Sequence, residues 1–145
     1  MDLVVLFKIG LSILFGYMIG IERENSGKAV GSRTISLICL GSTLFCLMSP
    51  EIFGGDNSRV IAQIVSGIGF IGAGIIFKHE DKVHGLTTAA TIWASAAIWC
   101  LVGTGLYMSA FLGTLAILFI NVTFKYFKKN DRWLFHVFTK FILVG

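Results

Sequence analysis

The stretch that decides the fold runs from Asp56 to Trp93 and reads DNSRVIAQIVSGIGFIGAGIIFKHEDKVHGLTTAATIW. It begins with charged residues and continues as a Gly-rich apolar segment that holds one amide, Gln63. It leaves that segment through KHEDKVHG and enters a second apolar run over GLTTAATIW. An apolar chain this continuous, with polar groups concentrated at its ends, predicts a transmembrane hairpin rather than the core of a soluble domain.

The composition of the whole chain also favours a membrane protein. Its 145 residues are 55% hydrophobic and only 14% charged, whereas soluble chains average roughly a quarter charged residues. A soluble domain this small could not bury so much apolar surface. The three cysteines all lie in apolar runs, so we interpret them as packing residues and expect no disulfide, metal or cofactor. No catalytic motif is present, and we expect a protein that is not an enzyme.

Five apolar segments have the length of a membrane span, or nearly so, at 3–21, 34–48, 60–77, 88–103 and 106–126. The predicted fold class is therefore an all-α membrane protein with about five transmembrane helices, contained in one domain at 1–127. Residues 128–145 form a basic and aromatic tail. Its pattern fits imperfect strand alternation and a helix on the membrane surface equally well. Because it ends while still apolar, it could also begin a further soluble domain.

Lys and Arg are distributed unequally between the two sides of the predicted bundle. The first loop, the third loop and the tail carry ten of them, whereas the other side carries only Lys8 and Arg59. The positive-inside rule then predicts an external N-terminus and a cytoplasmic C-terminus. The basic tail is expected to face anionic lipid rather than nucleic acid.

Polar residues at the start of the third span are candidates for function. Asp56 could cap the first turn of the helix, and Arg59 and Gln63 share one face because they lie four residues apart. Gln63 fits either a hydrogen bond between helices or the lining of a polar pathway. These spacings predict that Asp56, Arg59 and Gln63 form one polar cluster at the outer end of this span.

Small residues mark the helix surfaces that are expected to pack closely. The predicted packing glycines are Gly67, Gly69, Gly72, Gly74 and Gly85. Close packing between membrane helices favours such residues, and their number predicts a homodimer. A broken helix that exposes carbonyl groups to a cavity is the alternative.

The cytoplasmic loops hold a second set of candidates. Glu22 and Arg33 are expected to pair across the mouth of the first helical hairpin, next to Arg23. A solvated loop that only satisfies the charge rule is the alternative interpretation. Thr87 or Thr88 is expected to cap the fourth helix.

The motifs GIERE, GSRT, DNSRVIAQIVSGIGFIGAGIIF and VHGLTTAATIW occur in an order that resembles the membrane domain of the MgtC/SapB family. The resemblance covers about residues 3–126 and fits a short, SapB-like form or a truncated chain. It implies a bacterial inner-membrane protein linked to magnesium or acid stress and to virulence, which regulates or binds membrane proteins such as ATP synthase. A small ion or solute transporter is the alternative. The positions that match the motifs are Glu22, Arg23, Arg33, Thr34, Asp56, Arg59, Gln63, Gly67, Gly69, Gly72, Gly74, Gly85, Leu86, Thr87 and Thr88.

Overall fold

The protein is a helical bundle with one short β-hairpin. The computed structural model describes residues 2–52 and 56–129. Its elements are α1 (Asp2–Asn25), α2 (Ser32–Ile52), α3 (Ser58–Ile75), β1 (Phe77–His79), β2 (Lys82–His84), α4 (Leu86–Thr104) and α5 (Tyr107–Lys129). Within these residues, five helices are long and apolar enough to cross a membrane, which confirms the predicted all-α membrane fold. The tail at 130–145, for which a strand or a surface helix was expected, lies outside the described residues.

Helix α4 forms the centre of the bundle and packs against each of the other four helices. In its membrane span 61% of the residues are buried, compared with 17% in the spans of α3 and α5. Its sequence is apolar on all sides, which is typical of a helix surrounded by other helices. Trp99 and Ile92 are fully buried at its core.

Helices α1 and α2 cross at close range because two glycines of α1 face α2. A Cβ added at Gly16 would overlap Cys39, and one added at Gly20 would overlap the backbone of Ser32. Gly16 and Gly20 form a GxxxG pattern, which allows membrane helices to approach closely. This pattern was not singled out in the sequence.

Lys8, a cation on the apolar helix α1, has a hydrogen-bond partner on α4. Lys8 Nζ donates a hydrogen bond of 2.7 Å to the carbonyl oxygen of Gly103. Gly103 lies in the last turn of α4, where carbonyl groups lack partners within the helix and the helix dipole favours positive charge. The Lys8 ammonium therefore ties α1 to the end of α4.

The connection between α3 and α4 is a β-hairpin, where the sequence predicted only a polar loop. Phe77 pairs with His84 and His79 with Lys82, and the Phe77 and His84 rings stack at 5.3 Å. Glu80 takes a positive φ of 53° at the turn. The strands have three residues each, which is too short for alternation to show in the sequence.

Candidate functional site

The polar residues of α3 line a groove between α2 and α3, which we call the α2–α3 groove. Its volume is about 600 Å³, and its walls include Ser42 and Phe45 of α2 and Arg59, Gln63 and Gly67 of α3. The structure thus brings Arg59 and Gln63 together along one open surface, as their spacing predicted. Gln63 is exposed and makes no hydrogen bond among the described residues.

Asp56 lies at the end of α3, before its first turn. Its Oδ1 accepts a 2.8 Å hydrogen bond from the N–H of Ser58, and its carbonyl oxygen accepts one of 3.1 Å from the Ser49 hydroxyl. Hydrogen bonds from Ser58 lower the pKa of Asp56, and the charge of Arg59 adds a smaller lowering. Asp56 therefore accepts one free N–H at the start of the helix, although the N-cap residue itself is Asn57, which makes no side-chain hydrogen bond to the helix. The carboxylate of Asp56 lies near Arg59. The wider prediction of a functional cluster stays a prediction.

The five predicted packing glycines have different surroundings. Gly72 is buried against α4, where an added Cβ would lie 3.5 Å from that of Ala89. At Gly85, where φ is 87°, an added Cβ would overlap the carbonyl oxygen of Ile75. Among the described residues, nothing lies within 4 Å of a Cβ added at Gly67, Gly69 or Gly74. A packing role for these three glycines stays a prediction.

The prediction that Glu22 pairs with Arg33, at the opposite end of the bundle, is wrong. Glu22 instead accepts hydrogen bonds of 2.7 Å from Arg23 Nε and from the Ser26 hydroxyl. The side chain of Arg23 turns into the bundle and is only 2% exposed. This places its guanidinium group, rather than that of Arg33, beside the carboxylate of Glu22. Arg33 is exposed, as is Thr34.

The contact across the mouth of this hairpin comes from another acid. Glu24 Oε2 accepts hydrogen bonds from the hydroxyl and the N–H of Ser32, at 2.8 and 3.2 Å. Ser32 is the first residue of α2, so the carboxylate satisfies a free N–H and lies at the positive end of the helix dipole.

The prediction that Thr87 or Thr88 caps α4 is also wrong. The helix begins at Leu86, and the N-cap position is Gly85, without a side-chain hydrogen bond. The positive φ of Gly85 turns the chain directly from the β-hairpin into the helix, so Thr87 and Thr88 lie within its first turn. Thr88 is buried, and the carbonyl oxygen of Thr87 accepts a hydrogen bond from Thr91.

A second cavity, which we call the loop-end cavity, was missed in the sequence. It has a volume of about 570 Å³ and its lining comprises Arg23, Ser26, Lys28, Thr87, Ile120, Asn121, Phe124 and Lys125. Asn121 is an amide in an apolar run, which is the same signal that pointed to Gln63. In the part of the chain that the structure describes, no group of three or more His, Cys, Asp or Glu residues could hold a metal ion.

The model of the MgtC family matches residues 9–130, which is most of the chain. The chain belongs to the MgtC family. This confirms the resemblance in GIERE, GSRT and the later motifs.

Among the relatives of this MgtC-family chain is "Protein MgtC" of Brucella abortus (strain 2308). It is 47% identical over 112 residues, which cover 76% of this chain and 47% of that protein. "Putative magnesium transporter YhiD" of Escherichia coli (strain K12) is 41% identical over 126 residues, covering 77% and 59%. "Protein MgtC" of Salmonella typhimurium (strain 14028s / SGSC 2262) is 42% identical over 111 residues, covering 77% and 48%. The chain spans about half the length of the curated relatives it matches, and no solved structure matches it.

Proposed function

We propose that this MgtC-family protein is not an enzyme but a regulator in the bacterial inner membrane, which acts by binding another membrane protein. The observation that carries the proposal is the open α2–α3 groove. We propose that the protein acts during magnesium or acid stress, or in virulence.

The described residues of the chain cover helix α3 incompletely. It packs well against α4 but only weakly against α2, and 17% of the residues in its span are buried. Gln63 and Gly67 are exposed in the groove, and Phe70 is 84% exposed. An amide that faces lipid is costly unless it is paired, and a hydrogen bond to a second helix recovers about 0.6–2 kcal/mol. Glycines without side-chain bulk allow that second helix to approach closely.

The proposed partner is a protein that presents a transmembrane helix with a polar group opposite Gln63. ATP synthase is one candidate. A second copy of the chain, which would form the predicted homodimer, is the alternative occupant of this surface.

Transport of a small ion or solute is the second candidate function. The volume of the groove, its polar residues Arg59 and Gln63 and the name of the Escherichia coli relative favour it. However, the apolar runs at 3–21, 34–48, 57–79 and 86–127 contain no Asp or Glu. Mg²⁺ prefers carboxylate and water oxygens, and the described residues that line the groove include no carboxylate. Protein in liposomes is therefore expected to give no Mg²⁺ flux above that of empty vesicles.

Filling the groove should disrupt the interaction. We expect Gly67→Leu to lower the amount of membrane protein that co-purifies with the chain at least about tenfold, which corresponds to a loss of about 1.4 kcal/mol. The reason is that the leucine occupies the surface where the partner helix lies. The measurement is quantitative mass spectrometry after mild cross-linking and purification from native membranes.

Gly10→Leu is the matched control, because nothing lies within 4 Å of a Cβ added at Gly10 or at Gly67. Both variants should therefore fold like the wild type, and Gly10→Leu should retain the partner. Equal retention by the two variants would show that the groove does not bind it.

The orientation of the bundle is part of the proposal. A five-span topology assigns ten of the twelve Lys and Arg residues of the sequence to one side, which we propose to be cytoplasmic. Reporter fusions after Lys129 should be active in the cytoplasm, and fusions at Gly55 should be active in the periplasm. A cytoplasmic signal at Gly55 would exclude this orientation.

A further inference from the structure

The loop-end cavity lies where α1 ends, α4 begins and α5 ends. One wall consists of polar side chains from these elements and from the loop after α1. Another wall is formed by Ile120 and Phe124 of α5, which are 52% and 69% exposed on the outer surface of the bundle. The cavity is therefore polar on one side and continuous with an apolar helix surface on the other.

Two side chains that line the cavity each carry a buried nitrogen that has no partner in the described part of the chain. Arg23 is 2% exposed and Asn121 is 8% exposed. Arg23 Nη1 and Asn121 Nδ2 have no hydrogen-bond partner among the described residues. Leaving a buried donor unpaired costs about 1–3 kcal/mol, and more when the group is charged. Because Arg23 and Asn121 both line the loop-end cavity, their unpaired nitrogens indicate a site there for a ligand that accepts hydrogen bonds.

The other atoms of these side chains are already engaged. Arg23 Nε binds Glu22 at 2.7 Å, and Asn121 Oδ1 lies 3.4 Å from the hydroxyl of Thr91. The contact with Glu22 fixes the orientation of the Arg23 side chain, so a ligand would not have to order its unpaired nitrogen on binding. The hydroxyl of Thr91 gives its proton to the Thr87 carbonyl oxygen at 2.8 Å, so its contact with Asn121 is the weaker one.

The charges around the cavity favour an anion. Arg23, Lys28 and Lys125 line it, and Glu22, which is bound to Arg23, is the carboxylate next to them. Three cations and one carboxylate leave a net charge of +2. The first turn of α4 contains no acidic residue and its N-cap makes no side-chain hydrogen bond, so its N–H groups add positive potential beside Thr87.

We propose that the loop-end cavity binds a phosphate group. Phosphate oxygens accept several hydrogen bonds at once and match the planar donors of arginine. A water molecule could accept one hydrogen bond from Arg23 or Asn121, but it would not balance the charge of Arg23, Lys28 and Lys125. The phosphate can belong to the headgroup of an anionic phospholipid, with its acyl chains along Ile120 and Phe124, or to a soluble phosphate compound.

The test uses the whole protein in nanodiscs made of phosphatidylcholine. In one arm, phosphatidylglycerol is added and the lipid retained by the protein is counted by native mass spectrometry. In the other arm, inorganic phosphate or ATP is titrated by calorimetry. The variant is Lys28→Gln with Lys125→Gln, because both lysines are exposed and their loss should leave the fold intact.

The matched control is Lys78→Gln with Lys82→Gln, which removes the same charge from the β-hairpin on the same side of the bundle. We expect the cavity variant to bind phosphatidylglycerol or the soluble phosphate at least about tenfold more weakly than the wild type, because two charge-assisted contacts are lost. The control should change binding less than about twofold. The arm that shows this difference identifies the source of the phosphate. Equal losses in the two variants, or no binding in either arm, would overturn the proposal.

Discussion

Gly20→Leu is expected to lower the level of folded protein in the membrane by at least about tenfold, with a destabilisation of about 3 kcal/mol or more. A Cβ at this position overlaps the backbone of Ser32, and backbone at the start of a helix cannot move aside as a flexible side chain does. The leucine would force α1 and α2 apart, which would also break the hydrogen bonds between Glu24 and Ser32. The measurements are the amount of protein in the membrane fraction and the midpoint of thermal unfolding in detergent.

Gly10→Leu also serves as the control here, because it adds the same side chain to the same helix without a neighbour within 4 Å. Its stability should stay within about 0.5 kcal/mol of the wild type. A wild-type melting midpoint for Gly20→Leu would contradict the close crossing of α1 and α2.

Gly85→Ala is expected to cost about 2–4 kcal/mol, from two separate causes. Its φ of 87° is unfavourable for a residue with a Cβ, and that Cβ would overlap the carbonyl oxygen of Ile75 at the end of α3. The overlap would separate the start of α4 from the end of α3. The measurement is again the midpoint of thermal unfolding in detergent.

Gly27→Ala separates the two causes. Gly27 also has a positive φ, of 64°, but nothing lies within 4 Å of its added Cβ. It should therefore lose only the conformational term, about 1–2 kcal/mol. Equal losses at the two positions would mean that the contact between Gly85 and Ile75 does not matter for stability.

The bundle itself could be predicted because each span is a long apolar run. A helix needs an apolar run of about that length to cross the hydrocarbon core of a membrane. The hydrogen bond from Ser58 to Asp56 at the start of α3, and the shared face of Arg59 and Gln63, were predictable because both depend on short spacings along the chain.

Contacts between elements were harder to predict. Glu22 had two basic candidates, Arg23 and Arg33, and only the inward turn of Arg23 decided between them. The start of α4 depended on the positive φ of Gly85, which makes the turn from the β-hairpin into the helix. The loop-end cavity joins residues almost a hundred positions apart, such as Arg23 and Asn121, so no local pattern revealed it.

The central claim is that another membrane protein covers the α2–α3 groove, and photo-cross-linking in native membranes tests it most directly. A photo-reactive residue replaces Gln63 in the groove or, as the control, Phe119 on the surface of α5, where it is 70% exposed. We expect position 63 to give an adduct with a different membrane protein and position 119 to react only with lipid. An adduct at twice the mass of the chain as the sole product, or lipid adducts alone at position 63, would contradict the claim.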